Sequence, residues 1–337
     1  MRPSLQDNRL DIVLLSGYLG SGKTTWLRHA LFTKAYGNAQ VFTQEAAKQA
    51  VDDLLLGEAM SVKVLTGTAG TPKGKDEMIA ALLEVAESRT SAPAKEADET
   101  DTQSDTLIPD TLIPDTLIIE TSGLADPADI IVAIKEHPIL IYHFALRETI
   151  IMVDALHFSE ALKNDPLCQQ QLLAADRIVI AKAEETPAQS LANLVATITQ
   201  INPAAPVSLS SFGVESPVPS LPAPTETYES TLAHTGAPVM VASLAIPKDI
   251  DWVEFTVWLS ALLHARGDTI LRVKGVLDTD EGLLLLQSVR KVMQQPEILP
   301  AKQSNVTAGD IVFIGEGMEQ EALRTSMLIF LGKDAEA

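Results

Sequence analysis

An eight-residue stretch near the start of the chain has residue types and spacing that suit polyphosphate binding. Gly17–Thr24 fits the pattern G-x-x-x-x-G-K-[ST] and closely follows the apolar run Ile12–Leu15. A buried strand that ends at glycine, followed by a helix near Lys23, directs backbone N–H groups and a helix N-terminus at one point. In such a loop Lys23 reaches the β and γ phosphates and Thr24 holds Mg²⁺. The alternative is a tight strand-to-helix turn without a ligand, and the flanking patterns favour the phosphate site.

A second motif, which bears a carboxylate, lies at the end of another apolar run. Glu120 follows Thr116–Ile119, and Gly123 comes three residues later. The carboxyl ends of parallel strands share one sheet edge, so Glu120 is predicted to act on Mg²⁺, directly or through water, or on the attacking water. The N–H of Gly123 can then face a γ-phosphate. The alternative is a strand-end residue that caps the next helix.

The elements that must position these residues alternate between β-like apolar runs and amphipathic segments. This rhythm is typical of strands joined by crossover helices, and it predicts an α/β fold with a mainly parallel sheet and flanking helices over residues 1–207. Helices are predicted after Thr24 and over Lys75–Ser88. The predicted strands are Ile12–Leu15, Gln40–Thr43, Val62–Leu65, Thr116–Ile119, Thr149–Val153, Arg177–Ala181 and a short one near Val207.

Two segments interrupt this rhythm. Residues 88–115 begin with an acidic, Ala- and Thr-rich stretch that predicts a disordered insert. The insert contains the near-repeats Asp105–Pro109 and Asp110–Pro114, whose prolines argue against a central strand. Residues 208–238 are rich in Ser, Pro, Thr and Glu and predict a linker to a smaller α+β domain over residues 239–337.

Composition limits the classes of partner. The formal net charge is -20, so a nucleic-acid duplex would be repelled, and no nucleic-acid partner is expected. No apolar run approaches the roughly 18 residues of a membrane span and no signal peptide is evident, so we expect a cytoplasmic protein without a membrane partner. Cys168 is the only cysteine in the sequence, which excludes an internal disulfide and a site of several thiolates.

The motifs together resemble one group of nucleotide-binding proteins. Three stretches are similar to the CobW/HypB/UreG group of P-loop GTPases, most of all to its CobW-type branch. They are Gly17–Thr24 followed by Thr25, the run Glu120–Pro127 and the run Val153–Ala155. Two later stretches, Leu271–Gly275 and Val312–Gly315, resemble the CobW C-terminal domain. The resemblance implies a P-loop NTPase fold, binding of GTP and Mg²⁺, weak GTPase activity, and a metallochaperone-like role toward a client protein that the sequence does not identify.

The same resemblance implies roles for individual residues. Lys23 and Glu120 would be catalytic, and Thr24 and Glu120 would lie in the Mg²⁺ shell. The residues implied in nucleotide binding are Gly17, Gly20, Ser21, Gly22, Lys23, Thr24, Thr25, Gly123, Lys182 and Glu184.

The chain departs from the family pattern at its metal motif. The family usually has Gly-Cys-x-Cys-Cys after the third strand, whereas this chain has Gly67–Thr71 without a cysteine. Threonine and glycine side chains do not replace thiolates for an ion such as Zn²⁺. We therefore expect the usual thiolate metal site to be absent.

Two further departures concern the base and the first switch. The family's Asn-Lys-x-Asp motif is replaced by Ala181–Glu184, in which Lys182 is retained and Glu184 takes the place of aspartate. This change predicts weakened preference for guanine, so ATP is an alternative ligand. Glu45 keeps a carboxylate after the second predicted strand and is a candidate for the Mg²⁺ shell, or else a solvated loop residue.

Three functions remain open at the level of sequence. The first is a CobW-type switch that binds GTP and hydrolyses it slowly. The second is a degenerate nucleotide-binding scaffold or interaction protein with no significant hydrolysis, and the third is an ATP-preferring P-loop relative.

Overall fold

A computed structural model describes residues 9–44, 61–65, 71–91, 114–228, 239–247, 250–280, 282–293, 296–299 and 309–333. The strands of the first sheet are β1 (Leu10–Ser16), β2 (Ala39–Thr43), β3 (Ser61–Val64), β4 (Thr116–Glu120), β5 (Phe144–Asp154), β6 (Arg177–Ala181), β7 (Val207–Ser211) and β8 (Val214–Pro217). The helices of this part are α1 (Lys23–Phe32), α2 (Pro72–Ser91), α3 (Pro127–Glu136), α4 (Leu140–His143), α5 (Phe158–Asn164), α6 (Pro166–Ala174) and α7 (Ala188–Ile201).

The first sheet confirms the predicted α/β class. Its strand order is β3-β2-β4-β1-β5-β6-β7-β8, and the neighbouring strands from β3 to β7 run parallel. In β4 all five residues are buried, as expected of a strand with packing on both faces. The register places Glu120 opposite both Leu15 of β1 and Thr43 of β2, so the carboxyl ends of these strands meet at one edge.

β5 and α2 extend furthest beyond their predicted bounds. β5 begins at Phe144 rather than Thr149, because its charged residues are paired with neighbouring strands: Arg147 Nε donates to Asp11 Oδ1 at 2.7 Å. α2 continues to Ser91, so residues 88–91 are helical and do not belong to the predicted insert. Arg89 Nη1 donates to His143 O at 3.3 Å and anchors this last turn. Residues 92–113, which hold both proline-containing repeats except for Pro114, lie outside the described residues.

The first sheet extends into the segment assigned to the linker. β7 and β8 form an antiparallel hairpin joined by Phe212 and Gly213, both with positive φ (50° and 94°), as two-residue hairpin turns require. Residues 208–217 therefore belong to the sheet. The chain then crosses α7, where Asn193 Oδ1 accepts from Thr225 N at 2.9 Å. The domain boundaries at 207 and 238 otherwise stay predictions.

The second part of the chain forms an antiparallel sheet flanked by helices. Its strand order is β12-β11-β10-β14-β9, with β13 paired to β11. The elements are β9 (Val239–Ala245), α8 (Trp252–Arg266), β10 (Ile270–Thr279), β11 (Gly282–Val289), β12 (Val292–Met293), β13 (Glu297–Ile298), β14 (Asp310–Glu316) and α9 (Gln320–Phe330). Phe255, Trp258 and Phe313 lie at the centre of its core, with ring centroids 5.3 and 6.1 Å apart. The predicted α+β character of this part is confirmed.

The two parts are joined by charged and apolar contacts. Arg272 of β10 forms a buried ion pair with Asp176, which precedes β6. Leu173 of α6 packs in one cluster with Ile314 of β14. Arg290, in the turn after β11, donates to Asp126 Oδ2 at 2.9 Å at the N-terminus of α3. The second sheet is therefore attached to the helices that follow β4 and precede β6.

Candidate functional site

The loop between β1 and α1 has a backbone that depends on glycine. Gly17, Gly20 and Gly22 have φ of 138°, 74° and 86°, which side-chain-bearing residues rarely adopt. A Cβ at Gly17 would lie 2.2 Å from Met152 O, so this position also requires a close approach to β5. A Cβ at Gly20 would meet nothing within 4 Å. The loop is therefore held in an unusual conformation that leaves open space at Gly20.

Lys23 reaches back across this loop from the first turn of α1. Its side chain is 5% exposed, and Nζ donates to Gly17 O at 2.9 Å and to Tyr18 O at 3.4 Å. Ser21 Oγ is buried and has no hydrogen-bond partner among the described residues. A buried ammonium group, an unpaired hydroxyl and the N-terminus of α1 at one place fit an anionic ligand.

The carboxylate of Glu120 joins three elements at the edge of the sheet. It is 0% exposed; Oε1 accepts from Thr24 Oγ1 of α1 and Oε2 accepts from Thr43 Oγ1 of β2, both at 2.8 Å. A cluster of carboxylate and hydroxyl oxygens is the donor set that Mg²⁺ prefers. Thr43 was predicted as the end of a strand and not as a site residue. Its position at the carboxyl end of a neighbouring strand is the signal that could have identified it.

The loop after Glu120 lies against the phosphate loop. A Cβ at Gly123 would lie 2.8 Å from Leu19 N, so only glycine allows this approach. Gln171 Nε2, fully buried on α6, donates to Gly123 O at 3.2 Å and to Ala125 O at 3.0 Å. Gln44 Oε1 accepts from Ser122 N at 3.1 Å. The sequence analysis missed Gln171, because a glutamine inside a helix carries no motif.

Lys182 follows β6 and contacts the phosphate loop from the side opposite to Glu120 and β4. Its backbone has φ 60°, and its Nζ donates to Gly20 O at 3.0 Å and to Asp154 Oδ2 at 2.7 Å. Glu184 lies in the short 3-10 turn Ala183–Glu185 and is exposed. The structure thus brings Lys182 to the loop and leaves Glu184 at the surface beside it.

The remaining predicted site residues differ in what the structure describes. Thr25 is exposed on the first turn of α1, directly after Thr24. Glu45, the candidate for the Mg²⁺ shell, lies outside the described residues, as do residues 67–70 of the altered metal motif. Thr71, the last residue of that motif, accepts from Gly74 N at 3.2 Å at the start of α2.

Cys168 is not placed to bind a metal ion. It is fully buried on α6, and burial, followed by the nearby Asp165 carboxylate, raises the pKa of its thiol to about 12. Metal ions bind the thiolate, which is scarce at neutral pH under these conditions. Across the described parts of the chain, no three His, Cys, Asp or Glu side chains are grouped so that they could hold a metal ion.

Comparison with known protein families places these motifs in a family. Residues 11–208 match the family described as CobW/HypB/UreG, nucleotide-binding domain, and residues 241–331 match the cobalamin synthesis protein cobW C-terminal domain. The chain belongs to the CobW/HypB/UreG family. The first domain is therefore a nucleotide-binding domain of the P-loop type, and the second is a CobW C-terminal domain.

Relatives cover nearly the whole of this family member. The zinc chaperone YjiA of Escherichia coli (strain K12) is 27% identical over 336 residues, which span 95% of this chain and 98% of YjiA. The crystal structure of zinc-bound YjiA GTPase from E. coli aligns with a TM-score of 0.57 at 21% identity, over 96% of this chain and 99% of that one. A zinc-bound triple mutant of the YjiA GTPase aligns with a TM-score of 0.59 at 22% identity and the same coverage. These structures share the fold.

No helix within the described ranges is both long and apolar enough to cross a membrane.

Proposed function

We propose that the protein binds GTP and Mg²⁺, hydrolyses GTP slowly, and acts as a conformational switch in metal or cofactor homeostasis of the CobW type. The observation that carries the proposal is the buried Glu120 carboxylate, which accepts hydrogen bonds from Thr24 at the end of the phosphate loop and from Thr43. Burial of a carboxylate costs free energy, and binding of Mg²⁺ and nucleotide beside the phosphate loop would explain why this one is buried. Family membership supports the same assignment.

Different residues of the loop are proposed to bind the phosphates through different groups. The backbone N–H groups of Gly20 and of Gly22 to Thr25 lie at the N-terminal end of α1, where anions are stabilised. Ser21 contributes its buried Oγ, which has no hydrogen-bond partner among the described residues. Lys23 places its positive charge beside the oxygens on which negative charge develops during phosphoryl transfer. Gly123 brings its backbone next to Leu19 and so to the same place.

Thr24 and Glu120 are proposed to hold Mg²⁺, with Thr43 adjacent and Glu45 as a further candidate. When bound, the ion neutralises charge on the phosphate oxygens. Thr24 and Thr43 each already lie within hydrogen-bond distance of Glu120, so the site needs no rearrangement of strands. Lys23 and Glu120 are the proposed catalytic residues.

Guanine is proposed to bind beside the 3-10 turn after β6. Glu184 can accept hydrogen bonds from two guanine N–H groups, and the stem of Lys182 can pack on the ring. Because Ala181 supplies no side-chain amide to brace this loop, we expect only moderate preference for GTP over ATP.

The switch would act through the loop after β4. This loop contacts the phosphate loop at Gly123, and its far end at Asp126 is bound by Arg290 of the C-terminal domain. A change at the γ-phosphate can thus be passed to that domain, which we propose contacts a client protein. The similarity to YjiA, a zinc chaperone, supports a role in metal handling.

Replacing Glu120 by glutamine tests the metal part of this proposal. The substitution keeps an acceptor for one threonine hydroxyl but removes the negative charge that would face Mg²⁺. We expect GTP hydrolysis to fall by about 10- to 100-fold and GTP affinity to lose its dependence on Mg²⁺. Phosphate release and titration calorimetry with and without Mg²⁺ measure both effects.

Glu148→Gln is the matched control, because Glu148 is a partly buried carboxylate of the same sheet that pairs with Arg177. It should leave the Mg²⁺ dependence unchanged. An E120Q protein that keeps both full hydrolysis and wild-type Mg²⁺ dependence would remove Glu120 from the site.

The usual thiolate metal site is proposed to be absent. The sequence has one cysteine, and Cys168 is buried in α6. Equilibrium dialysis against Zn²⁺ and Co²⁺ should therefore reveal no stoichiometric site of submicromolar affinity, and Cys168→Ser should behave like the wild type. A tight one-to-one site in the wild-type protein would contradict this prediction.

A further inference from the structure

Asp154 is a buried carboxylate next to the phosphate loop that the proposed function has not used. It is the last residue of β5, at the same sheet edge as Glu120 and the phosphate loop. Its side chain is 9% exposed. Oδ1 accepts from Leu156 N at 2.9 Å, and Oδ2 contacts Lys182 Nζ at 2.7 Å and His157 Nδ1 at 3.0 Å. The carboxylate therefore has three partners, of which one reaches the nucleotide site.

Asp154 carries a negative charge at neutral pH. Burial acts to raise its pKa, but hydrogen bonds from Lys182, His157 and the Leu156 N–H outweigh burial and lower the pKa below its ordinary value. Asp154 and Lys182 thus form a charge-assisted pair, which is stronger and more directional than a neutral hydrogen bond.

Lys182 transmits this constraint to the middle of the phosphate loop. Its Nζ donates to Gly20 O as well as to Asp154. Because a peptide group is planar and trans, a carbonyl directed at Lys182 turns the N–H of Ser21 to the opposite side. There Ser21 N donates to Tyr18 O at 3.2 Å. The Gly20–Ser21 peptide is therefore held from both sides, by Lys182 and by Tyr18.

The backbone of Lys182 shows that this arrangement is maintained at a cost. Its φ of 60° and ψ of 26° are left-handed, a conformation that is unfavourable for a residue with a Cβ. Strained backbone of this kind persists where surrounding contacts hold it, and such positions cluster at functional sites. The residue with this backbone conformation is also the one whose Nζ makes both hydrogen bonds.

We propose that Asp154 is a positioning residue of the nucleotide site: by fixing Lys182 Nζ on Gly20 O, it sets the peptide plane at the centre of the phosphate loop. The inference rests on the proposed nucleotide binding. Asp154 would then strengthen the binding of the phosphates and would not affect recognition of the base. The alternative is that Asp154 only caps the turn Ala155–His157 through the Leu156 N–H.

Asp154→Asn separates the two roles. Asparagine keeps an acceptor for the Leu156 N–H, so the turn is retained, while the charge that holds Lys182 is lost. We expect the Kd of MgGTP to rise by about tenfold or more. The Kd of MgITP should rise by the same factor, because ITP has the same phosphates but lacks the 2-amino group that Glu184 is proposed to bind.

Lys182→Met provides a second variant should Asp154→Asn fold poorly. It leaves the Asp154 cap intact and removes both contacts of Nζ. The double variant D154N/K182M should bind GTP no more weakly than K182M alone, because the two residues act through one chain of contacts. Asp251→Asn is the control: Asp251 likewise accepts from backbone N–H groups, at the start of α8, and its loss should not change nucleotide affinity.

Each outcome decides a separate claim. If the wild type binds neither nucleotide at millimolar concentration, the proposed function fails. If the wild type binds and D154N binds equally well, the positioning role is wrong. If D154N weakens GTP binding but changes the GTP-to-ITP ratio, Asp154 acts on the base and the inference is also overturned.

Discussion

Replacing Lys23 by alanine is expected to raise the Kd for MgGTP by about 100-fold or more. Lys23 is 5% exposed as a residue, and its Nζ donates to Gly17 O at 2.9 Å. Removing a buried, hydrogen-bonded cation leaves the phosphate charge without its partner, which costs about 2–5 kcal/mol of binding. Titration calorimetry of the two proteins with MgGTP measures the change directly.

The control for this substitution lies on the same helix. Arg28 is exposed on α1, so Arg28→Ala removes a positive charge of similar reach without touching the loop. Its effect on the Kd should stay within about threefold. A K23A protein that binds MgGTP as tightly as the wild type would contradict the assignment of the phosphate site.

Replacing Arg272 by methionine is expected to lower the free energy of unfolding by about 3–5 kcal/mol. Arg272 is 1% exposed and pairs with Asp176, whose Oδ2 also accepts from Thr149 N at 2.9 Å. Methionine would fill most of the volume but would leave the Asp176 carboxylate buried without its cation. Urea unfolding, followed by circular dichroism, measures the loss.

Two comparisons identify the cause of that loss. The exposed pair of Lys291 and Asp268 offers a control, and Lys291→Ala should cost no more than about 1 kcal/mol. The double variant R272M/D176N should recover part of the stability, since it no longer buries an unpaired charge. An R272M protein as stable as the K291A protein would show that this ion pair contributes little.

Much of the fold follows from local pattern. The apolar runs that end at Leu15, Thr43 and Ile119 predicted three neighbouring strands, because buried parallel strands are apolar on both faces. The start of β5 could not be predicted, since Arg147 interrupts the apolar run and is satisfied only by Asp11 of another strand. The hairpin of β7 and β8 could not be predicted either, because its strands consist largely of polar residues.

Some residues of the site could likewise be predicted from sequence motifs, and others could not. The loop Gly17–Thr24 and Glu120 were predictable, because their motifs place charged groups at the carboxyl end of a strand. The end of its strand could have marked Thr43 as a candidate, but its contact with Glu120 was not predictable. Neither was the contact of Asp154 with Lys182, since both contacts form only when strands distant in sequence meet. The contacts of Arg272 and Arg290 with the first domain depend on how two separate sheets pack, which no local pattern specifies.

The central claim is that this chain binds GTP through its phosphate loop with the help of Mg²⁺. The most direct measurement is isothermal titration of the full-length wild-type protein with GTP, in the presence of Mg²⁺ and again in the presence of EDTA, with ATP titrated in parallel. We expect saturable one-to-one binding of GTP that is at least about tenfold tighter with Mg²⁺ than without it. Absence of binding of both GTP and ATP at millimolar nucleotide with Mg²⁺ would contradict the account.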